Sequence, residues 1–249
     1  LASAGLVEHR PRAPWHSARP HPDDVPDLVI VVAGPVDEAL HEAWGRRVLD
    51  GSRRSWRGFL STWSSRDALP PSADLERVLG HWVPKVGPER VHVVVARRGH
   101  PDALARHVSE LLGHRAKDLA VPPVAPEPVL LDLLRRVSDV LPFLLPEARR
   151  PAARTVLVTL MREERRGLRW IGLPRRRRGW ARRHGVRLAG AVRDAGVPVH
   201  GDVEALASLS ASARGLRAVD TVAAAVRMIH RIEESGRPSS GSAGEGTST

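Results

Sequence analysis

Residues Asp27–Gly34, DLVIVVAG, run directly into Pro35–Trp44, PVDEALHEAW, and this junction decides the fold class. The first segment is a short, β-branched apolar run without polar alternation, the pattern of a strand buried on both faces. Pro35 stands where a first helical turn tolerates proline. Beyond it Val36, Leu40, Ala43 and Trp44 recur at helical spacing, so a buried strand feeds a helix. A second strand is predicted in Glu89–Gly99, ERVHVVVARRG. Two helices lie between the strands. Ser55–Ser65 sets Trp56, Phe59, Leu60 and Trp63 on one side, and the next helix carries Leu75, Val78, Leu79 and Trp82, with Ser72 as its expected N-cap. Strand, helices, strand makes a parallel crossover the expected pairing.

Further along, PDALARHVSELLG forms a helix closed by Gly113, and the Pro-rich link AVPPVAPEP ends that half. The remainder reads as helix over Val129–Val140, Pro146–Arg166, Trp180–Ala195 and Arg214–Glu234. The expected organisation is an irregular leader over 1–26, an α/β domain over 27–212, a C-terminal helix over 213–234 and a disordered Ser/Gly-rich tail over 235–249. The fold class is α/β: a short parallel sheet of two clear strands with a predominantly helical C-terminal half.

The 249 residues carry 39 Lys and Arg against 28 Asp and Glu, a formal charge of +11. Between Arg150 and Arg193 lie fourteen arginines and only two acidic residues, Glu163 and Glu164, so the basicity belongs to one segment. Lys85 and Lys117 are the only lysines, a bias that GC-rich coding produces as readily as selection for phosphate binding. The absence of cysteine excludes disulfides and thiol chemistry. No apolar run reaches the roughly 18 residues of a membrane span, and no signal-peptide pattern opens the chain, so a cytoplasmic protein is expected. The first residue is Leu, which leaves open a fragment of a longer product.

The order of several segments resembles the middle and C-terminal portion of sulfotransferase-like P-loop proteins of high-GC bacteria. They are VIVVAGPVDEALHEAW (Val29–Trp44), WRGFLSTW (Trp56–Trp63), DLERVLGHWVPKVGPERVHVVV (Asp74–Val95), HPDALARHVSELLG (His100–Gly113) and GWARRHGVRLAGAVRDAGVPVHGDVEAL (Gly179–Leu206). The resemblance implies an abbreviated P-loop-like fold and, for active members, the cofactor 3′-phosphoadenosine-5′-phosphosulfate. The family holds its phosphosulfate in a Gly- and Lys-containing loop after the first strand, using backbone N–H groups at a helix N-terminus. This chain has no G-x-x-x-x-G-K-S/T, and neither lysine falls between a strand and a helix. The family clamps the 3′-phosphate with an Arg after the strand and a Ser two helical turns on. Aligning Trp44 with the family's tryptophan puts Gly34 and Glu42 at those positions. A glycine offers only its N–H and a carboxylate repels phosphate. The expectation is a degenerate relative with no cofactor and no identifiable catalytic residue. The cofactor returns only if an upstream P-loop exists in a longer, active product.

Other constellations have plainer readings. Asp37, Glu38, His41 and Glu42 are close enough on one helix for a metal or general-base cluster, but no second His stands at metal-site spacing, and a solvated polar face is expected. His100, His107 and His114 recur every seven residues and are expected at the surface. Trp44, Trp56, Trp63 and Trp82 are expected to pack in the core, whereas Trp170 and Trp180 bracket the arginine block as nucleic-acid modules set their aromatics. The block itself, Arg175, Arg176, Arg177 and Arg178 with Arg182 and Arg183, is the candidate anion-contact set, leading into or beginning a helix. Cations at a helix N-terminus are each unfavourable by about 0.3–1 kcal/mol unless an anion or solvent compensates. Two alternatives stand: non-sequence-specific binding of nucleic acid or another polyanion, or a solvated arginine-rich loop.

Overall fold

The structure is a computed structural model that describes residues 26–95, 101–113, 127–163 and 172–209. Strand β1 (Val29–Ala33) passes through a two-residue link into helix α1 (Val36–Leu49). Helices α2 (Trp56–Ser64) and α3 (Leu75–Val86) lead to β2 (Val91–Val95). Helices α4 (Pro101–Leu112), α5 (Pro128–Leu144), α6 (Arg150–Glu163) and α7 (Arg175–Asp194) follow, and β3 (Val199–His200) comes last. The three strands form one sheet in the order β1-β2-β3, parallel throughout, with Val29 opposite Val91 and Val93 opposite Val199. The expected crossover is therefore present, and β3 adds a strand that the sequence reading lacked. The fold is α/β and mostly helical.

Alternation along the strands divides the sheet into two faces. Val29, Val31, Ala33, Val91, Val93 and Val95 join the main core with α1, α2, α3, α5 and α7. Ile30 and Val94 face Val108 of α4 in a smaller cluster. Helix α1 packs against both α5 and α7, so its burial exceeds a single stripe: Asp37 is 5% exposed and His41 1%. That corrects the expectation of a solvated polar face. His41 lies against the rings of Trp44 and Trp56, with centroids 6.1 and 6.3 Å away.

Several boundaries move. Helix α3 starts at Leu75, and Ser72 belongs to a 3₁₀ turn (Pro71–Ala73) instead of capping it. Helix α5 runs on to Leu144, and Glu147–Arg149 is a 3₁₀ turn ahead of α6. Helix α7 begins at Arg175, not Trp180, so the arginine block is its first turn and not a loop. Beyond β3, Gly201 sits at φ 104° where any Cβ would overlap the Val95 carbonyl, and a 3₁₀ turn (Val203–Ala207) follows. The leader, Arg214–Glu234 and the tail lie outside the described residues. Among the described residues no helix is long and apolar enough to cross a membrane.

One arginine fastens α6 to the rest. Arg154 donates from Nη2 to the carbonyls of Val48 and of Leu49 (2.9 Å), and from Nη1 to Ser138 Oγ at 2.7 Å. Carbonyls at a helix C-terminus lack intrahelical partners, and a cation there complements the dipole. Arg154→Ala should therefore lower the unfolding free energy by about 1.5–3 kcal/mol, the range for hydrogen bonds to a charged group. Urea unfolding checks this, and an unchanged midpoint would show that α6 is held by packing alone.

Candidate functional site

The arginine block was the expected anion site, and the β1–α1 junction the place where the resemblance puts a lost 3′-phosphate clamp; the fold brings both toward the same end of the sheet. Each strand's carboxyl end is where open parallel α/β sheets take ligands. The β1–α1 junction lies there. Helix α7 meets β3 through residues 195–198 at its own C-terminus, so its N-terminus points back toward the strands' carboxyl ends. Gly185 fixes this register, because its Cα abuts the backbone of Leu206 and Ala207 beyond β3. The first turn of α7 therefore lies toward the strands' carboxyl ends.

The β1–α1 junction is closed. Only Gly34 and Pro35 separate strand from helix, and Pro35 caps α1 without a side-chain hydrogen bond. Val36 is fully buried and Asp37 nearly so, so the first turn of α1 is covered. Gly34 and Glu42 are half-buried on this element, and the carboxylates of Asp37, Glu38 and Glu42 accompany them. The phosphosulfate loop of the resemblance would precede β1 and falls outside the described residues. Asp37, Glu38 and Glu42 place carboxylates on the first turns of α1 at this junction.

Helix α7 is different. Its buried stripe, Trp180, Ala181, His184, Gly185, Leu188, Ala189 and Val192, has the spacing of one helical face and anchors the helix through packing. Its start has neither an acidic residue in the first turn nor a side-chain cap on Pro174. The cations along it divide into two sets. Arg183 lies 3.6 Å from Asp67, Arg187 lies 3.3 Å from Glu76 and 3.9 Å from Asp74, and Arg193 pairs with Glu204. Arg178 donates from Nε to the Leu173 carbonyl at 3.3 Å. Among the described residues no carboxylate pairs with Arg175, Arg176, Arg177 or Arg182, of which Arg175, Arg176 and Arg182 are exposed and Arg177 is half-buried. Arg183, counted in the candidate set, is thus partly neutralised.

The aromatic partner expected for this block is not on the surface. Trp180 is 5% exposed and belongs to the main core, edge-on to His184 with centroids 5.4 Å apart, so it offers no ring to a nucleobase. Trp170 lies outside the described residues. Trp44 and Trp56 are buried, and Trp63 and Trp82 pack half-buried against the core, as expected.

Three contacts were missed: two join distant segments, and the third lies within α5 at i,i+3 and i,i+4 spacing. Buried His184 holds Nε2 3.5 Å from Asp67 Oδ1. Desolvation and the Arg187 charge push His184 below the ordinary imidazole range, while Asp67 pulls the other way. Asp132 is buried between Arg135, at 2.9 Å, and Arg136, at 2.7 Å. His92 meets His200 across β2 and β3. Of the three histidines expected at the surface, His107 is half-buried, 3.6 Å from Glu110; His100 and His114 lie outside the described residues. Among the described residues no group of three or more His, Asp or Glu is arranged to hold a metal ion.

Fold and site together define a small parallel α/β protein with a closed first strand–helix junction and a basic helix end toward the strands' carboxyl ends. No protein-family model, curated protein or solved structure matches this chain.

Proposed function

We propose that this chain is a sulfotransferase-like α/β protein without sulfotransferase activity, and that it binds polyanions, nucleic acid foremost, through the N-terminal end of α7. The observation that carries this reading is the division of charge along one helix. Arg183, Arg187 and Arg193 have carboxylate partners, whereas Arg175, Arg176, Arg177 and Arg182 have none among the described residues. Cations without a carboxylate partner in the first turns of a helix are unfavourable on their own, and a phosphate backbone relieves both their repulsion and the orphan N–H groups. Bidentate guanidinium–phosphate contacts suit such a surface and read no sequence. The covered first turn of α1, with its carboxylates, supports the loss of the phosphosulfate cofactor.

Fluorescence anisotropy with a duplex DNA and an RNA of equal length, across a salt series, tests the binding. The wild-type affinity should fall steeply with salt. Replacing Arg175, Arg176, Arg177 and Arg182 together by Gln should reduce the log–log slope on DNA by about 3–4, near one unit per lost phosphate contact. Absence of binding at low salt, or an unchanged slope in the quadruple variant, refutes the reading. A calorimetric titration with 3′-phosphoadenosine-5′-phosphate examines the other half of the proposal. Micromolar binding that survives moderate salt would restore the enzyme.

A further inference from the structure

On the α4 face of the sheet, His92 and His200 meet from positions 108 residues apart, Nδ1 of His92 standing 3.0 Å from Nε2 of His200. Their ring centroids are 5.3 Å apart and their planes differ by only 16°. Rings that far apart reach a 3.0 Å nitrogen separation only when both nitrogens lie on the line joining the centroids. The two imidazoles therefore meet edge to edge, with their lone-pair directions opposed and not converging on a third point as metal ligation requires. Opposed nitrogens share one proton: one neutral ring donates N–H and the other accepts. A second proton leaves two donors and two positive charges facing each other at that distance.

We propose that the His92–His200 pair is a proton-operated latch that fastens β3 to β2 at neutral pH and releases it when both rings are protonated. The latch matters because β3 is only two residues long. Its ladder supplies few hydrogen bonds, among them Val93 N–H to the Pro198 carbonyl at 2.9 Å. Beyond it, Gly201 and Asp202 lead into the Val203–Ala207 turn, whose Leu206 is fully buried against α7. Freeing β3 opens this edge of the sheet.

The surroundings of the pair favour a single shared proton. On the β1 side Ile30 is in register with His92 and contributes no charge. From the segment before β2, the Glu89 backbone carbonyl favours a proton on His92, while burial and the facing His200 push His92 below the ordinary imidazole range more strongly. From α4, His107 brings its ring centroid to 6.2 Å from His200, with Glu110 beside it. The folded state thus resists protons that the unfolded chain accepts. The latch contributes fully above the ordinary imidazole pKa of about 6.5 and is lost as pH falls from there toward the lowered folded value.

Hydrogen exchange at the Val93 amide, corrected for intrinsic rate, reads the latch directly. Wild-type protection should be lost as pH falls from about 7.5 to about 5. His200→Gln, which keeps a polar group but cannot titrate, should hold Val93 at a low protection that is flat across this range. No fall in the wild type, or an equal fall in H200Q, overturns the proposal. Should H200Q not fold, imidazole ¹⁵N shifts of the wild type decide. Two coupled steps shared by His92 and His200 support the latch. Independent titration of each ring near the ordinary value overturns it.

Discussion

Replacing Trp44 by alanine should lower the unfolding free energy by about 3–5 kcal/mol, the cost of truncating a fully buried tryptophan. Trp44 has no exposed surface and is tied down twice. Its Nε1–H donates to the Arg54 carbonyl at 2.9 Å, across the turn that ends α1, and its ring centroid lies 5.7 Å from that of Trp56. Through Trp56 the contact passes to Phe59, stacked at 5.9 Å, so the truncation opens a cavity between α1 and α2. Against a total stability of about 5–15 kcal/mol, such a loss brings the chain near unfolding at room temperature. Trp44→Phe separates the contributions: it keeps an aromatic ring but leaves the Arg54 carbonyl without this donor, and should cost less than the alanine. Chemical denaturation of the three proteins is the measurement. Equal losses for Phe and Ala would mean that the hydrogen bond, and not the packed ring, dominates.

Trp44 also shows how far the sequence was legible. Its spacing from Val36, Leu40 and Ala43 reveals α1, and the β-branched runs reveal β1 and β2, because these signals lie within a dozen residues. The burial of Asp37 and His41 was not legible: a helix packed against both α5 and α7 is covered on more than one face, and its own sequence does not say what packs on the second. Strand β3 escaped because two residues after Pro198 carry no alternation, and its existence depends on β2, far away in the chain. The start of α7 did leave a signal. Pro174 stands just ahead of Arg175, as prolines do at helix starts, but four cations argue against a first turn there. Packing of Trp180 through Val192 outweighs that local penalty. The charge of the candidate site was readable as composition, whereas its division into neutralised and unneutralised arginines depends on Asp67, Asp74, Glu76 and Glu204, contributed by other elements.

The glycines of α7 give the sharpest contrast available within one helix. A helical glycine is less favourable than alanine by about 1 kcal/mol, so Gly→Ala should stabilise wherever space permits. Gly179 has open space where a Cβ would project, and Gly179→Ala should raise the unfolding free energy by roughly that amount. Gly185 is the opposite case. A Cβ there would stand 2.5 Å from the Ala207 Cα and the Leu206 carbonyl oxygen, both backbone atoms that no side-chain rotation can move. Overpacking of this kind costs about 1–3 kcal/mol, which exceeds the propensity gain, so Gly185→Ala should be net destabilising, and Gly185→Val more so. The backbone it would displace is the turn that continues from β3, so the strain falls on the seam between α7 and the sheet edge. Thermal or urea unfolding of G179A and G185A therefore should show shifts of opposite sign. If G185A is instead stabilised like G179A, the close approach of Leu206 and Ala207 to α7 is not maintained in solution, and the placement of the basic helix end toward the strands' carboxyl ends loses its anchor.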